Sequence, residues 1–254
     1  MSNTSHTPQK GGLTRVEGIQ DVLPMLAADI STHFRVGIEK GSVDCGRFGC
    51  VIPVDGDRVV KLTADPTEPI GWLYVQGRQQ SGHLPFLEGA ATIEQILKVR
   101  VALPKMFGGV TTRILGMALV ERVVPARAVW QRRGDAQRVK RAARWVRSDG
   151  NLITPLDQSI DRIVAGCRTK KLPNLAHFCS RAPTPVTGLC NMLQDAATDG
   201  VWYTDTFDFN LGWRFERTPG LVLYDFGKVE YTRRGHRERL QKRWKAMPIV
   251  DMAP

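Results

Sequence analysis

The sequence predicts an α+β protein with a β-rich first half, up to about Pro125, and a mainly helical second half. Two observations predict the order. Apolar, β-branched runs at 49–54 and 58–62 flank an Asp55-Gly56 pair, the strongest short-range hairpin signal. Later stretches opening at Thr154-Pro155 and Thr184-Pro185 carry apolar residues at three-to-four spacing, with proline in the first turn, where its missing N–H costs nothing. At 254 residues the chain can bury a sizeable core, as one domain or as two lobes.

Taken in order, residues 1–12 are polar, without the apolar core of a signal peptide, and are expected to form a disordered tail. Leu23, Leu26, Ile30 and Phe34 predict a helix over 22–34 despite Pro24. The run 41–54 reads as two strands around a glycine turn containing Gly46 and Gly49, followed by the Asp55-Gly56 turn and a strand 58–62 that carries Lys61. Asp65-Pro66-Thr67 is expected to begin a helix whose carboxylate is Glu68, ending at Ser81-Gly82. Residues 90–98 are ambiguous, but Leu97, Val99 and Val101 alternating with Lys98 and Arg100 favour a strand, with Glu94 on it. An apolar strand over 113–125 follows, ending in a charged pair and a proline. Residues 128–148 predict a helix with one apolar and one strongly basic face, read first as a solvated face. The helix opening at Thr154 buries Ile160, Ile163 and Val164; the one opening at Thr184 buries Val186, Leu189, Leu193 and Ala196 and stops at Gly200. His177, between them, has no Ser, Cys or metal partner at motif spacing and reads as structural.

The chemistry concentrates between Asp205 and Gly227. Asp205 and Asn210 are five residues apart, and the apolar run 221–224 leads into Asp225-Phe226-Gly227. A carboxylate and an amide oxygen, Asp225 and Asn210, suit Mg²⁺, which keeps much of its shell as water and phosphate. A further carboxylate, Asp205, suits a base that accepts a substrate proton, with Asp208 as a rival at a different spacing.

In these residues the chain resembles the protein-kinase superfamily, where a catalytic-loop Asp is followed by a metal-binding Asn and then Asp-Phe-Gly. The family's His-Arg ahead of the Asp is Tyr203-Thr204 here, and Asp44 replaces the first glycine of its Gly-rich loop. Asp-Pro-Thr-Glu at 65–68, the aromatic helix after it and His83-Leu84-Pro85 are similar to small serine/threonine kinases encoded by tailed bacteriophages. The resemblance implies a bilobal kinase-like fold: N-lobe 13–125, C-lobe 126–230 with the catalytic loop and metal motif, and a basic C-terminal helix or tail 231–254. It implies Mg²⁺- and ATP-dependent phosphorylation of protein Ser or Thr, with Asp205 as base and Lys61 as phosphate clamp. Asn210 and Asp225 would be the metal ligands, Gly46 and Gly49 the lid over the phosphates, Val51 a further nucleotide-binding residue, and Glu121 to Val123 the adenine edge. Glu68, or else Glu94, would pair with Lys61. Substrates would be host or phage proteins in the bacterial cytoplasm. Only 27 residues follow Gly227, with no Ala-Pro-Glu motif, so the resemblance breaks off after Asp-Phe-Gly and predicts no usual activation segment. The same core serves small-molecule phosphotransferases, and the departures also fit an impaired pseudokinase acting as a binding module.

A net charge of +11 favours polyanionic partners. The tail contributes seven basic residues between Arg233 and Lys245 against Glu238 alone, with Leu240, Trp244 and Met247 expected to pin an amphipathic helix. An acidic or nucleic-acid-associated partner is therefore expected on the basic surfaces. Five scattered cysteines without a Cys-x-x-Cys pair indicate neither a disulfide framework nor a zinc site and read as reduced thiols. No apolar run approaches the ~20 residues of a membrane span.

Overall fold

The computed structural model describes residues 19–39, 43–45, 48–104, 110–125, 153–182, 184–204, 210–214 and 220–252. These form an α+β fold with a mixed β-sheet and, among the described residues, seven helices. The predicted basic helix over 128–148 lies outside them, as do Gly46, Asp205 and Asp208.

Helix α1 (Ile19–Phe34) is followed by β1 (Asp44–Cys45), β2 (Gly49–Val54) and β3 (Arg58–Thr63). Gly56 takes φ +69° in the turn between β2 and β3, the left-handed conformation that an Asp-Gly hairpin turn demands. Helix α2 (Glu68–Gln80) and the short α3 (Leu84–Gly89) come next, then β4 (Ile93–Pro104) and β5 (Val110–Glu121), which pair along most of their length. The second half holds β6 (Val124–Pro125), α4 (Ile153–Thr169), α5 (Leu172–Cys179), α6 (Thr184–Thr198) and β7 (Val201–Tyr203). Strands β8 (Leu211–Arg214), β9 (Gly220–Leu223) and β10 (Val229–Tyr231), helix α7 (Arg234–Ala246) and strand β11 (Ile249–Met252) complete the chain.

The main sheet runs β1-β2-β3-β5-β4-β11, antiparallel except for β11, which lies parallel to β4. Both faces of its centre are covered, which explains the unbroken apolar stretch in β5. Leu115, Met117 and Leu119 pack with Leu26, Ile30 and Phe34 of α1, whereas Ala118 and Val120 face a second core with Trp72, Leu73 and Phe86. That second core continues through Leu189 and Leu193 of α6 to Trp213 and Phe226, so α2 joins the sheet to the helical half. Each fully buried side chain of this kind contributes about 1.5–3 kcal/mol.

Several expectations need correction. The predicted start of α2 lies three residues too early. Asp65 Oδ1 accepts the Thr67 N–H (2.8 Å) and hydroxyl (2.7 Å), a local turn that holds the chain out of helix until Glu68, and Pro69 is the first-turn proline. Residues 93–104 are strand, as the alternation favoured. The strand expected over 113–125 splits, with Arg122 and Val123 between β5 and β6. Helix α5 and strand β11 are not foreseen. Four of the cysteines expected as thiols form two disulfides, Cys45–Cys50 and Cys179–Cys190, while Cys167 is buried and belongs to neither. Antiparallel register sets Cys45 directly opposite Cys50, and the packing of α5 on α6 does the same for the second pair; neither is visible as a sequence motif.

Candidate functional site

Lys61 lies in the middle of β3, between Val51 on β2 and Ala118 on β5. Its ammonium forms an ion pair with Glu68 at the start of α2 and a second, at 3.2 Å, with Oδ1 of Asp225. Glu68 is thus the lysine's partner; Glu94 instead meets Arg58 at 3.3 Å at the sheet surface. The Lys61 and Glu68 side chains are 13% and 6% exposed and that of Asp225 35%, so the carboxylate of Asp225 is the one that reaches solvent.

One ammonium therefore faces two carboxylates. Burial alone would lower the Lys61 pKa, but the charges of Asp225 and Glu68 outweigh it and hold the group firmly protonated. Burial raises Glu68 above the usual carboxylate range; Lys61 opposes this and the nearby Asp225 charge adds to it. For Asp225 burial is overcome by Lys61 and by the Gly227 N–H, and its pKa is lowered. That N–H donates to Oδ1 at 3.1 Å, the same oxygen that Lys61 engages, so neither contact uses Oδ2.

Backbone packing fixes this arrangement. At Gly71 of α2 a Cβ would collide with the carbonyl oxygen of Phe226, so the helix rests directly on the main chain of Asp225-Phe226-Gly227. At Gly116 of β5 it would meet Pro69 and Trp72 at 2.7 and 3.0 Å, which seats the other side of α2 against the sheet. Gly49 has a steric reason of its own, since a Cβ there would strike the Leu62 carbonyl. Its requirement for glycine comes from the β2–β3 contact and needs no ligand.

Asn210 begins the β8–β9 ribbon at the end where Asp225 leaves it, and its carbonyl accepts the Tyr224 N–H at 3.0 Å. Thr204, on the other side of segment 205–209, donates its hydroxyl to the Lys228 carbonyl at 3.3 Å. Thr204 and Asn210 thus each bond to the chain next to Asp225-Phe226-Gly227. Tyr203, where the resemblance expects His, sets its ring edge-on to Phe226 with centroids 6.4 Å apart.

Glu121 turns out differently from its expected part. Its N–H donates to the Thr92 carbonyl (2.8 Å), and its carboxylate accepts Arg214 Nε and Nη2, both at 2.7 Å. Of its backbone only the carbonyl can serve a ligand. The Val123 side chain lies against Gly212, where a Cβ would come within 2.5 Å of it.

Sequence reasoning missed two residues. Asp65, buried, brings Oδ2 to the same side of Gly227 as Asp225 Oδ1, each 3.4 Å from where a Gly227 Cβ would stand. Arg214, buried in a charged insert, showed no local signal at all. Among the described residues no group of three or more His, Cys, Asp and Glu side chains is arranged to hold a metal. Asp225 and Asn210 stand at adjoining strand ends, a carboxylate and an amide of the kind that suits a cation retaining water and phosphate ligands. His177 sets its ring edge-on to that of Phe178, centroids 5.6 Å apart. No helix among the described residues is long and apolar enough to cross a membrane. No protein-family model matches the chain, and no curated protein matches it either.

Proposed function

We propose that this chain transfers the γ-phosphoryl group of ATP, with Mg²⁺, to a Ser or Thr hydroxyl of a protein, on a bilobal kinase-like fold. The observation that carries this is Lys61 of β3 held between Glu68 of α2 and Asp225. In protein-kinase chemistry a third-strand lysine paired to a glutamate of the following helix, beside a metal-binding Asp-Phe-Gly aspartate, is the assembled state. Electrostatics supports the reading. Two carboxylates on one buried ammonium leave an excess of negative charge, which a divalent cation on Asp225 would neutralise.

Lys61 would donate to phosphate oxygens while Glu68 fixes its direction. Asn210 and Asp225 would hold Mg²⁺, which when bound offsets the charge of the phosphates. Asp205 would accept the proton of the attacking hydroxyl. Gly46 and Gly49 would close over the phosphates, Val51 would contact the nucleotide, and the carbonyl of Glu121 with the backbone of Val123 would meet the adenine edge. On the phage-kinase resemblance the substrates would be host or phage proteins of a bacterial cytoplasm, with the basic face of α7 recruiting an acidic or nucleic-acid-bound partner.

One observation favours a second reading, a small-molecule acceptor. Only Lys228 separates Gly227 from β10, which pairs at once with β7, so no intervening segment is available to seat a peptide. Incubation with Mg²⁺ and γ-labelled ATP tests both. Transfer to protein is expected, reduced roughly 10²- to 10⁴-fold in Asp205→Asn and lost in Asp225→Ala. No transfer by the parent to protein or to any small hydroxyl acceptor would exclude phosphotransfer and leave the binding-module reading. Undiminished transfer in both variants would exclude the site assignment.

A further inference from the structure

The second half of α2 is held from two sides. On one, Tyr74 donates its hydroxyl to Asp199 (2.9 Å), Arg78 pairs with Asp195 and with Asp199 (3.3 Å), and His83 contacts Asp195 at 2.8 Å, tying α2 to α6 and the turn after it. On the other lies α7. His236 sets its ring edge-on to Tyr74, centroids 5.3 Å apart, and Arg243 reaches the surface of α2 at Gly77. Leu240, Trp244 and Met247 lean on the core that contains Leu73 and Tyr74.

Both ends of this segment are fixed to different parts of the molecule. At its start β10 pairs with β7, and Thr232 donates its N–H (2.8 Å) and its hydroxyl (3.1 Å) to the Gly200 carbonyl. At its end β11 adds a parallel strand to β4, supported by Lys98, which donates to the Lys245 carbonyl (3.0 Å) and lies over the Trp244 ring, and by Arg100 paired with Asp251 (3.1 Å). The chain leaving Asp225-Phe226-Gly227 therefore crosses α2 and fastens to the sheet that carries Lys61.

We infer that residues 229–252 form a built-in brace that holds α2 in the position where Glu68 meets Lys61, with His236 as a positioning residue acting through Tyr74. The near end of α2 meets the site through the Glu68–Lys61 ion pair and the close approach of Gly71 to Phe226, and its far end, gripped by α6 and α7, fixes the tilt that keeps Glu68 in place. The brace does the work that an ordered activation segment would otherwise do, in a chain where β10 begins two residues after Gly227. Its effect on catalysis rests on the phosphotransfer reading; its effect on α2 does not.

The test uses the full chain with His236→Ala, His236→Phe and, to release the far end, Val250→Pro, which removes a backbone donor from β11. Hydrogen exchange of the amides of α2 is expected to quicken about tenfold in His236→Ala and in Val250→Pro, with β2 and β3 unchanged, and to return towards parent values in His236→Phe. The kcat/KM for phosphoryl transfer should fall and recover in the same order. Unaltered exchange in α2 for His236→Ala overturns the brace whether or not the protein transfers phosphate. Faster exchange with full activity overturns its role in positioning Glu68. A parent without transfer counts against the phosphotransfer reading alone, and exchange then decides the brace.

Discussion

Two buried ion pairs in this molecule look alike in outline and differ in their accounts. At the junction of β5, α3 and β8, Arg214 gives Nε and Nη2 to Glu121, Nη1 to the carbonyls of Leu87 (2.7 Å) and Glu88 (3.1 Å), and Nη2 also to that of Ala90 (2.6 Å). Glu121 also takes the Thr92 N–H at 2.9 Å. One positive charge meets one negative charge and every donor nitrogen is used, so the node closes helix α3 and the end of β5 on themselves. At Lys61, by contrast, two carboxylates share one ammonium, one of them partly exposed. A buried pair that balances is explained by the fold; at Lys61 the described residues leave a surplus of negative charge, on the side where Asp225 reaches solvent.

The same substitution should therefore have opposite consequences at the two sites. Glu121→Gln leaves Arg214 buried without a counter-charge and is expected to cost about 3–5 kcal/mol in a denaturant titration. Glu68→Gln removes one of the two carboxylates and leaves Lys61 balanced by Asp225, so it should leave the unfolding midpoint unchanged or raised while lowering phosphoryl transfer. Equal losses of stability at the two sites would abolish the contrast.

The pH dependence of the first effect sharpens it. Burial would raise Glu121, but the hydrogen bonds and charge of Arg214 outweigh it and hold its carboxyl below the usual 4.5. A depressed carboxyl contributes stability that is complete above 4.5 and lost as pH falls through the lower folded-state value. Parent and Glu121→Gln should thus converge only below pH 4.5; convergence between pH 5 and 7 would show that Arg214 does not govern this group. A smaller loss than at Glu121 is expected at Gly71→Ala, where the added methyl must push α2 off the Phe226 carbonyl, at about 1–3 kcal/mol. That variant should lose more activity than its stability loss explains, whereas Gly235→Ala, with open space around it in α7, should be neutral or stabilising in thermal melts.

What sequence could reveal follows the range of the forces involved. Helix α1, the Asp55-Gly56 turn and the stop of α6 at Gly200 (φ +77°) are set by residues within a turn or two and were legible. Lys61 and Glu68 are seven residues apart, and a strand followed by a helix leaves few ways to arrange them. The start of α2 was misplaced because Asp-Pro-Thr suits a helix entrance and a turn before one equally well. Arg214 and Glu121 are 93 residues apart, and nothing near either one indicates the other. The disulfides fail in the same way, since register and helix packing, not spacing, bring those sulfurs together. Glycines 71 and 116 look like weak points of a helix and a strand until their neighbours are seen.

Strand β11 also has a consequence for synthesis. Its partner β4 is made some 150 residues earlier, with Ile249 aligned on Lys98 and Met252 on Val101. While the ribosome works from β5 to Met252, at about 5–20 residues per second, the outer edge of β4 waits roughly ten seconds for its neighbour. During that interval the nascent sheet shows an open border of alternating Val99, Val101 and charged residues, the kind of edge to which a stray strand can add. Residues 249–252, translated long after β4, are the ones that seal it.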